Sequence, residues 1–250
     1  MSSEKTIYYH DQKVHHNLKS PEIIIPIVLN KINVNSVIDI GCGLGGWLKV
    51  FENLAIHNYI GVDGEHVNRK HLLIPESKFI ARDLTAEINI DKHFDLAICL
   101  EVAEHLPERS ADNIVKTLTN HADTILFSAA LIGQEGQNHI NEQWFSYWQE
   151  KFKRQGYFFY DEIRPIIWWN NEVEWWYKQN IFVVSKNKIP SFSDDKGLVC
   201  GYHPEWYKKN AVSLKTLKSG NYSSKQLTKF LFRSIIRKLF GRKYDDNLFK

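Results

Sequence analysis

The chain has 250 residues, 43% of them hydrophobic and 24% charged, and a formal net charge of +3. That length and balance exclude a disordered or fibrous chain and leave one large globular domain, or one domain with an extension. The mild basicity is weak support for a polyanion partner. Three widely spaced cysteines, Cys42, Cys99 and Cys200, form no C-x-x-C pair and argue against a disulfide framework or a cysteine zinc site.

Residues 1–19 are polar and lack an apolar signal stretch. No run approaches the roughly 18 apolar residues that a spanning helix needs, so a reducing cytoplasm is the expected location. Pro21 opens an apolar segment, EIIIPIVLNKI, expected to be helical despite Pro26. SVIDI (36–40) reads as a short buried strand. GGWLKVFENL (45–54) has helical spacing, with Trp47, Leu48, Phe51 and Leu54 on one side. NYIGVD (58–63), KFIARDL (78–84) and HFDLAICL (93–100) read as three further strands. The last is an almost continuous apolar run, as in a strand covered on both faces. ADNIVKTLTNHA (111–122) reads as a helix and DTILFSAAL (123–131) as a fifth strand. Strands alternating with helices predict a parallel sheet of βαβ units.

From Asn141 to Tyr177 the chain carries six of its eight tryptophans. NEQWFSYWQEKFKRQG reads as one helix ending at Gly156, and YFFYDEI and NIFVVSK as two closing strands. A polar stretch from Lys186, KNKIPSFSDDKG, reads as a linker. KQLTKFLFRSIIRKLFGRK (225–243) carries seven Lys/Arg and no acid. Leu227, Leu231, Ile235 and Leu239 share one face, opposite Lys225, Lys229, Arg233 and Arg237. Such a helix can lie on an anionic membrane surface, or dock on its own domain with a solvated basic side.

Between the first strand and the first following helix, Gly41, Gly43 and Gly45 form G-x-G-x-G. Glycines there let backbone approach a ligand where a Cβ would clash. The spacing is neither the dinucleotide G-x-G-x-x-G nor the P-loop, which points to a nucleotide-like ligand and away from a bound triphosphate. Asp63 ends the second strand, where a carboxylate can accept from both hydroxyls of a ribose. Asp83 ends the third, in a place suited to an adenine amino group.

VIDIGCGLGGW resembles motif I of the class I S-adenosylmethionine-dependent methyltransferases, YIGVDG their ribose-binding strand end, and ARDL their adenine-binding segment. FDLAICLEVAEHLPE resembles the stretch spanning their fourth strand and its exit. The resemblance covers about residues 30–185. It implies a Rossmann-like α/β sandwich with a mostly parallel seven-stranded sheet and, in this chain, a C-terminal helical extension. It also implies S-adenosyl-L-methionine as cofactor. Asp39, Gly41 and Gly43 would surround the methionine moiety, Asp63 the ribose, and Asp83 and Leu84 the adenine. Gly45 and Glu101 complete the expected cofactor set. The implied organisation is an N-terminal helical segment (1–29), a methyltransferase domain (30–186), and a linker with a basic amphipathic extension (187–250).

LEVAEHLPE also places Glu101, Glu104 and His105 at i, i+3 and i+4, on one face if a helix begins there. Two carboxylates and an imidazole could hold a divalent cation, with Mg²⁺ or Mn²⁺ favoured by the carboxylates and a Zn²⁺-like ion by the histidine. This E-x-x-E-H resembles the metal motif of ubiquinone-biosynthesis O-methyltransferases and of small-RNA 3′-end methyltransferases. In the latter a further histidine follows the fifth strand, where this chain has His139. The expected metal set is therefore Glu101, Glu104, His105 and His139, and the expected catalytic residues are His139 and His105. His139 would serve as ligand or as general base; the alternative is that Glu104 and His105 only shape the helix start. The tryptophan block either builds core or lines an acceptor pocket with Arg164 and Asn170.

SAALIGQEGQNHINEQWFSYW and WWYKQN look similar to methyltransferases of bacterial surface-glycan assembly. The leading expectation is an O-methyltransferase acting on a sugar hydroxyl of a glycan or glycolipid precursor, with 225–243 touching the inner membrane face. One alternative is a metal-dependent RNA ribose 2′-O-methyltransferase. No RNA-binding signature accompanies the basic tail, so nucleic acid is not the expected partner. The other alternative is a non-catalytic, membrane-tethered Rossmann-like binding module.

Overall fold

The computed structural model describes residues 18–190, 192, 201–208, 210, 223, 224, 227, 228 and 231. Its elements are α1 (Lys19–Leu29), β1 (Ser36–Ile40), α2 (Gly46–Asn53), β2 (Asn58–Asp63), β3 (Phe79–Ala81), β4 (Leu96–Leu100), α3 (Ala111–His121), β5 (Thr124–Ser128), α4 (Phe145–Arg154), β6 (Phe158–Tyr160), α5 (Arg164–Ile167), α6 (Trp175–Asn180) and β7 (Phe182–Ser185).

The seven strands make one sheet in the order β3-β2-β1-β4-β5-β7-β6. β1 to β5 are mutually parallel, and β7 runs antiparallel to both β5 and β6. β1 and β4 are buried at every position, because helices cover both faces. Side chains alternate between two apolar layers. Leu96 and Ile98 pack with Ile24 and Val28 of α1 and Leu48 and Phe51 of α2. Ala97 and Cys99 pack on the other side with Ile114 and Leu118 of α3 and Trp148 and Phe152 of α4. The expected mostly parallel seven-stranded sandwich is present.

Several bounds differ from the expectation. β3 is three residues long and stops at Ala81, where the chain turns: Asp83 Oδ1 accepts from the Thr85 amide at 2.9 Å and the Thr85 hydroxyl at 2.7 Å. α2 closes at Asn53, and Leu54 is 42% exposed; Val50 joins Leu48 and Phe51 on the buried side instead. The helix expected from Asn141 begins only at Phe145, and 141–144 belong to a loop. Gly156 ends that region with φ 81°, as a C-terminal glycine should. WWYKQN is helical, as α6.

The described residues fall into two compact units, within 1–201 and within 202–250. In the second, Tyr202 stacks on Trp206 with ring centroids 3.9 Å apart. The expected basic helix over 225–243 lies almost wholly outside the described residues. Of it, Leu227, Thr228 and Leu231 are described as helical, and both leucines are exposed. No helix among the described residues is long and apolar enough to cross a membrane.

Candidate active site at the carboxyl edge of the sheet

The predicted cofactor residues gather at the carboxyl ends of β1, β2 and β3, where ligands sit in open α/β sheets. After Ile40 the chain turns sharply: the amides of Gly41 and Cys42 donate to Val62 O at 2.7 and 3.2 Å. Gly41, Gly43 and Gly45 have φ of 87°, 53° and 83°, in the region where a Cβ is strained. A Cβ at Gly41 would collide with the Val102 side chain, and one at Gly45 would sit 2.8 Å from Ile74 Cγ1. A Cβ at Gly43 would meet no protein atom within 4 Å. Two glycines are therefore demanded by packing, whereas the Cβ direction of Gly43 is open.

Asp63 braces this turn. Its Oδ2 accepts from the Gly43 amide at 2.7 Å and its Oδ1 from the Gly64 amide at 2.6 Å. Asp39 is buried in the floor beneath. Burial, and then the nearby Asp63 carboxylate, push its carboxyl well above the usual range. Asp83 is exposed and Leu84 buried beside it.

α3 holds the loop that follows with a row of polar side chains. Asn113 Nδ2 donates to Thr85 O at 2.9 Å, and Thr117 Oγ1 accepts from the Ile88 amide at 2.9 Å. His121, fully buried, accepts from the Ile90 amide on Nε2 at 2.8 Å and contacts Thr117 O through Nδ1 at 2.6 Å. Since a carbonyl can only accept, the proton sits on Nδ1.

On the other side of the edge, β4 exits into the E-x-x-E-H segment. Ala103–His105 is a single 3-10 turn, and Glu101 has φ 55°. The α-helical face expected for Glu101, Glu104 and His105 does not form. Ligand atoms of Glu104, His105 and His139 instead lie within 4.8 Å of one another, and Glu101 is not in that group. The His105 and His139 rings meet edge to face at 4.9 Å. The amides of Ile140 and Asn141 donate to Glu104 O at 2.9 and 3.0 Å, which fastens the loop after β5 against the β4 exit.

Within that loop Glu142 orients His139. Glu142 Oε1 lies 2.9 Å from His139 Nδ1, and Oε2 accepts from the Gly133 amide at 2.8 Å. The carboxylate selects the Nδ1–H tautomer and leaves Nε2, which lies beside Gly136, as the ring's acceptor. The Glu104 carboxylate is fully buried, and neither oxygen makes a well-formed hydrogen bond. Burial, then the adjacent Glu101, push it well above the carboxylate range. A buried carboxylate in that condition, with two imidazoles whose ligand atoms lie within 4.8 Å of it, could hold a cation. With one carboxylate rather than two, it suits zinc-like or iron-like ions better than Mg²⁺.

Glu101 is engaged elsewhere, with Asn180 and Gln134, whose amides donate to it at 3.0 and 3.3 Å. Arg164 is buried, ion-paired with Asp161, donates to Gln179 O at 3.0 Å, and packs against the rings of Phe145 and Phe182. It is part of the packing and not an acceptor partner. Asn170 turns its side chain to the Glu172 amide at 2.9 Å. Trp148 is core, whereas Trp144 and Trp169 are 39% and 76% exposed. Gln134, Tyr177 and Asn180 belong to the site neighbourhood and were not read from the sequence, whereas Glu142 reads from the sequence as an acid near His139 that opens the next helix. The signal of the first three was present only as polar residues within apolar or aromatic stretches.

One protein-family profile, described as methyltransferase domain, matches residues 14–175. No curated protein sequence matches the chain significantly. Among solved structures, DesVI of Streptomyces venezuelae superposes with a TM-score of 0.52 and 10% identity, over 72% of this chain and 100% of its own. CalS10 of Micromonospora echinaspora, an amino pentose methyltransferase of calicheamicin biosynthesis solved with S-adenosylmethionine bound, gives 0.50 and 11%, over 74% and 100%. At such identities the likeness is one of fold.

Proposed function

This chain belongs to the methyltransferase-domain family, and from that premise we propose an S-adenosyl-L-methionine-dependent O-methyltransferase whose acceptor is a sugar hydroxyl of a glycan or glycolipid precursor. One juxtaposition carries the reading: an open glycine turn braced by Asp63 shares a sheet edge with His139, a histidine oriented by a carboxylate.

The bound cofactor supplies a methyl group activated by a sulfonium. The glycine turn with Asp39 would hold the methionine moiety and Asp63 the ribose, with Asp83 and Leu84 at the base. The acceptor oxygen attacks in line, and holding the two reactants together provides much of the acceleration. His139 Nε2 takes the hydroxyl proton while Nδ1–H stays on Glu142. Glu104, His105 and His139 also fit a divalent cation, which would supply Lewis acidity toward the acceptor hydroxyl. The two roles of His139 use the same nitrogen and exclude each other. Exposed Trp144 and Trp169 offer flat apolar faces of the kind that stack on sugar rings. The amino pentose activity of CalS10 is compatible with a sugar acceptor. Peripheral contact of 225–243 with an anionic membrane completes the reading; deleting 225–250 should release the protein from anionic vesicles and leave cofactor binding intact.

A second reading, ribose 2′-O-methylation of RNA, is favoured by the Glu104, His105 and His139 cluster alone. RNA binding that weakens steeply with salt would support it.

The test is calorimetric titration with S-adenosylhomocysteine before and after EDTA treatment. Binding in both conditions supports the cofactor site and keeps any cation on the acceptor side. Absence of binding in both overturns the reading.

A further inference from the structure

The loop after β5 is fastened at both ends and bare in the middle. At one end the Gly133 amide is held by Glu142, and the Gln134 amide donates to Leu131 O at 3.0 Å. The Gln134 side chain there accepts from Asn180 at 2.9 Å and from Gln179 at 3.0 Å. At the other end the amides of Ile140 and Asn141 are bound to Glu104 O. Glu135, Gly136, Gln137 and Asn138 lie between, the first three exposed, and make no hydrogen bond among the described residues. Glu135 and Asn138 have φ of 55° and 60°, a region that costs residues other than glycine. A segment so strained and so weakly bonded opens before the core it is tied to.

The middle of this loop rests on His139. A Cβ at Gly136 would sit 2.3 Å from His139 Nε2, 2.5 Å from Cε1 and 2.7 Å from Cδ2. Such near-equal distances put it over the ring face at the Nε2 end, so only a glycine lets the backbone lie there. The His105 ring meets the same imidazole edge to face, and Glu142 takes Nδ1. The His139 side chain is thereby only 12% exposed, although its loop lies at the surface.

We propose that residues 135–138 are a lid, seated on His139 through Gly136, that lifts to admit the acceptor and closes to keep water from the base. This rests on the role of His139 given above. The fastened ends return the lid to its seat. Glu142 holds the ring by its Nδ1 while the lid leaves its face, so the base keeps its direction as the site opens. Closure around the reactants excludes water and strengthens the electrostatics inside, and gating of this kind often sets the turnover rate. Gly136 and Glu135 touch no reacting atom; they act through the lid.

The experiment labels histidines with diethyl pyrocarbonate, which reacts at an unprotonated ring nitrogen, and reads each site by peptide mass spectrometry. With Nδ1–H on Glu142, His139 reacts at Nε2. The exposed His71 and His93 serve as references. In the unaltered protein His139 should react much more slowly than either. Gly136→Ala should raise the His139 rate about tenfold, because overpacking against the ring favours the lifted lid by that order. Glu135→Val puts a β-branched residue at φ 55° and should do the same without touching the ring. Unchanged His71 and His93 rates report an intact fold. A His139 rate equal to the references in the unaltered protein, or unmoved by both variants, overturns the lid. S-adenosylhomocysteine titration of the same samples separates the two readings. Full affinity with an unmoved His139 rate defeats the lid alone, whereas no binding by the unaltered protein overturns the cofactor reading whatever the labelling shows.

Discussion

Glu142 and His139 form a carboxylate–imidazole pair at 2.9 Å whose second carboxylate oxygen is fixed by the Gly133 amide. The pair sets both the tautomer and the direction of His139. Partners of this kind commonly change metal affinity or activity by about 10–100-fold when removed. Glu142→Gln should therefore lower Zn²⁺ affinity by that order and leave S-adenosylhomocysteine affinity within about twofold. Zinc titration of both proteins checks this; equal affinities would remove Glu142 from the site.

The glycine turn separates two kinds of constraint. Gly41→Ala drives a Cβ into Val102 at a backbone φ of 87°, so it should lower the melting temperature by several degrees, the response to about 1–3 kcal/mol of strain and overpacking. Gly43→Trp has no neighbouring protein atom to displace at its Cβ. It should fold nearly as well and lose cofactor affinity. Thermal melts combined with calorimetry distinguish the two outcomes, and retained affinity in Gly43→Trp would contradict the assigned ligand face.

Glu104 makes stability depend on pH in a defined direction. Its folded-state carboxyl lies above the ordinary carboxylate range, through burial first and Glu101 second. Between the unfolded and folded values the native state binds the extra proton, so stability falls as pH rises through that window. Asp39, raised by burial, adds the same sign. Cation-depleted protein should lose a few degrees of melting temperature as pH rises from the ordinary carboxylate range through the raised folded-state value, and Glu104→Gln should flatten that slope. Added Zn²⁺ should stabilise the native protein more at the higher pH, because the ligands must be deprotonated. Parallel slopes for the two proteins would exclude Glu104 as the source.

His121 links α3 to the loop after β3 by accepting from the Ile90 amide on Nε2, while Nδ1 is anchored to Thr117 O of α3 itself. His121→Ala leaves the Ile90 amide without its acceptor and opens a cavity, which should cost about 2–4 kcal/mol. Urea unfolding measures this. Unchanged stability would mean the loop is held by Asn113 and Thr117 alone.

Much of the sheet was legible because β4 is a continuous apolar run and β1 and β2 are short, largely apolar segments, and the glycine turn with Asp63 stands out against them. The ends were less legible. ARDL carries strand-like residues, but Asp83 binds its own neighbour Thr85 and turns the chain. The E-x-x-E-H spacing suggested a helical face, yet the left-handed φ of Glu101 sends its carboxylate toward Asn180, 79 residues away in sequence. Glu142 read as a helix opener, although the helix begins three residues later and the side chain turns back to His139. Arg164 read as an acceptor partner, although Asp161 three residues earlier pairs with it and Phe145 and Phe182, remote in sequence, pack on it. Local pattern predicts elements well, whereas contacts across the fold decide what each polar residue does.

The last strand also sets an order of assembly. β7 lies between β5 and β6 in the sheet, although both precede it in the chain. As the polypeptide leaves the ribosome, β5 keeps an open hydrogen-bonding edge and β6 has no sheet partner until β7 slides between them. Such exposed edges invite association with other chains. The same insertion brings Tyr177 to Trp47 behind the glycine turn and Asn180 to Glu101 at the β4 exit, so the nascent chain completes this edge and covers its open strand edges in one step.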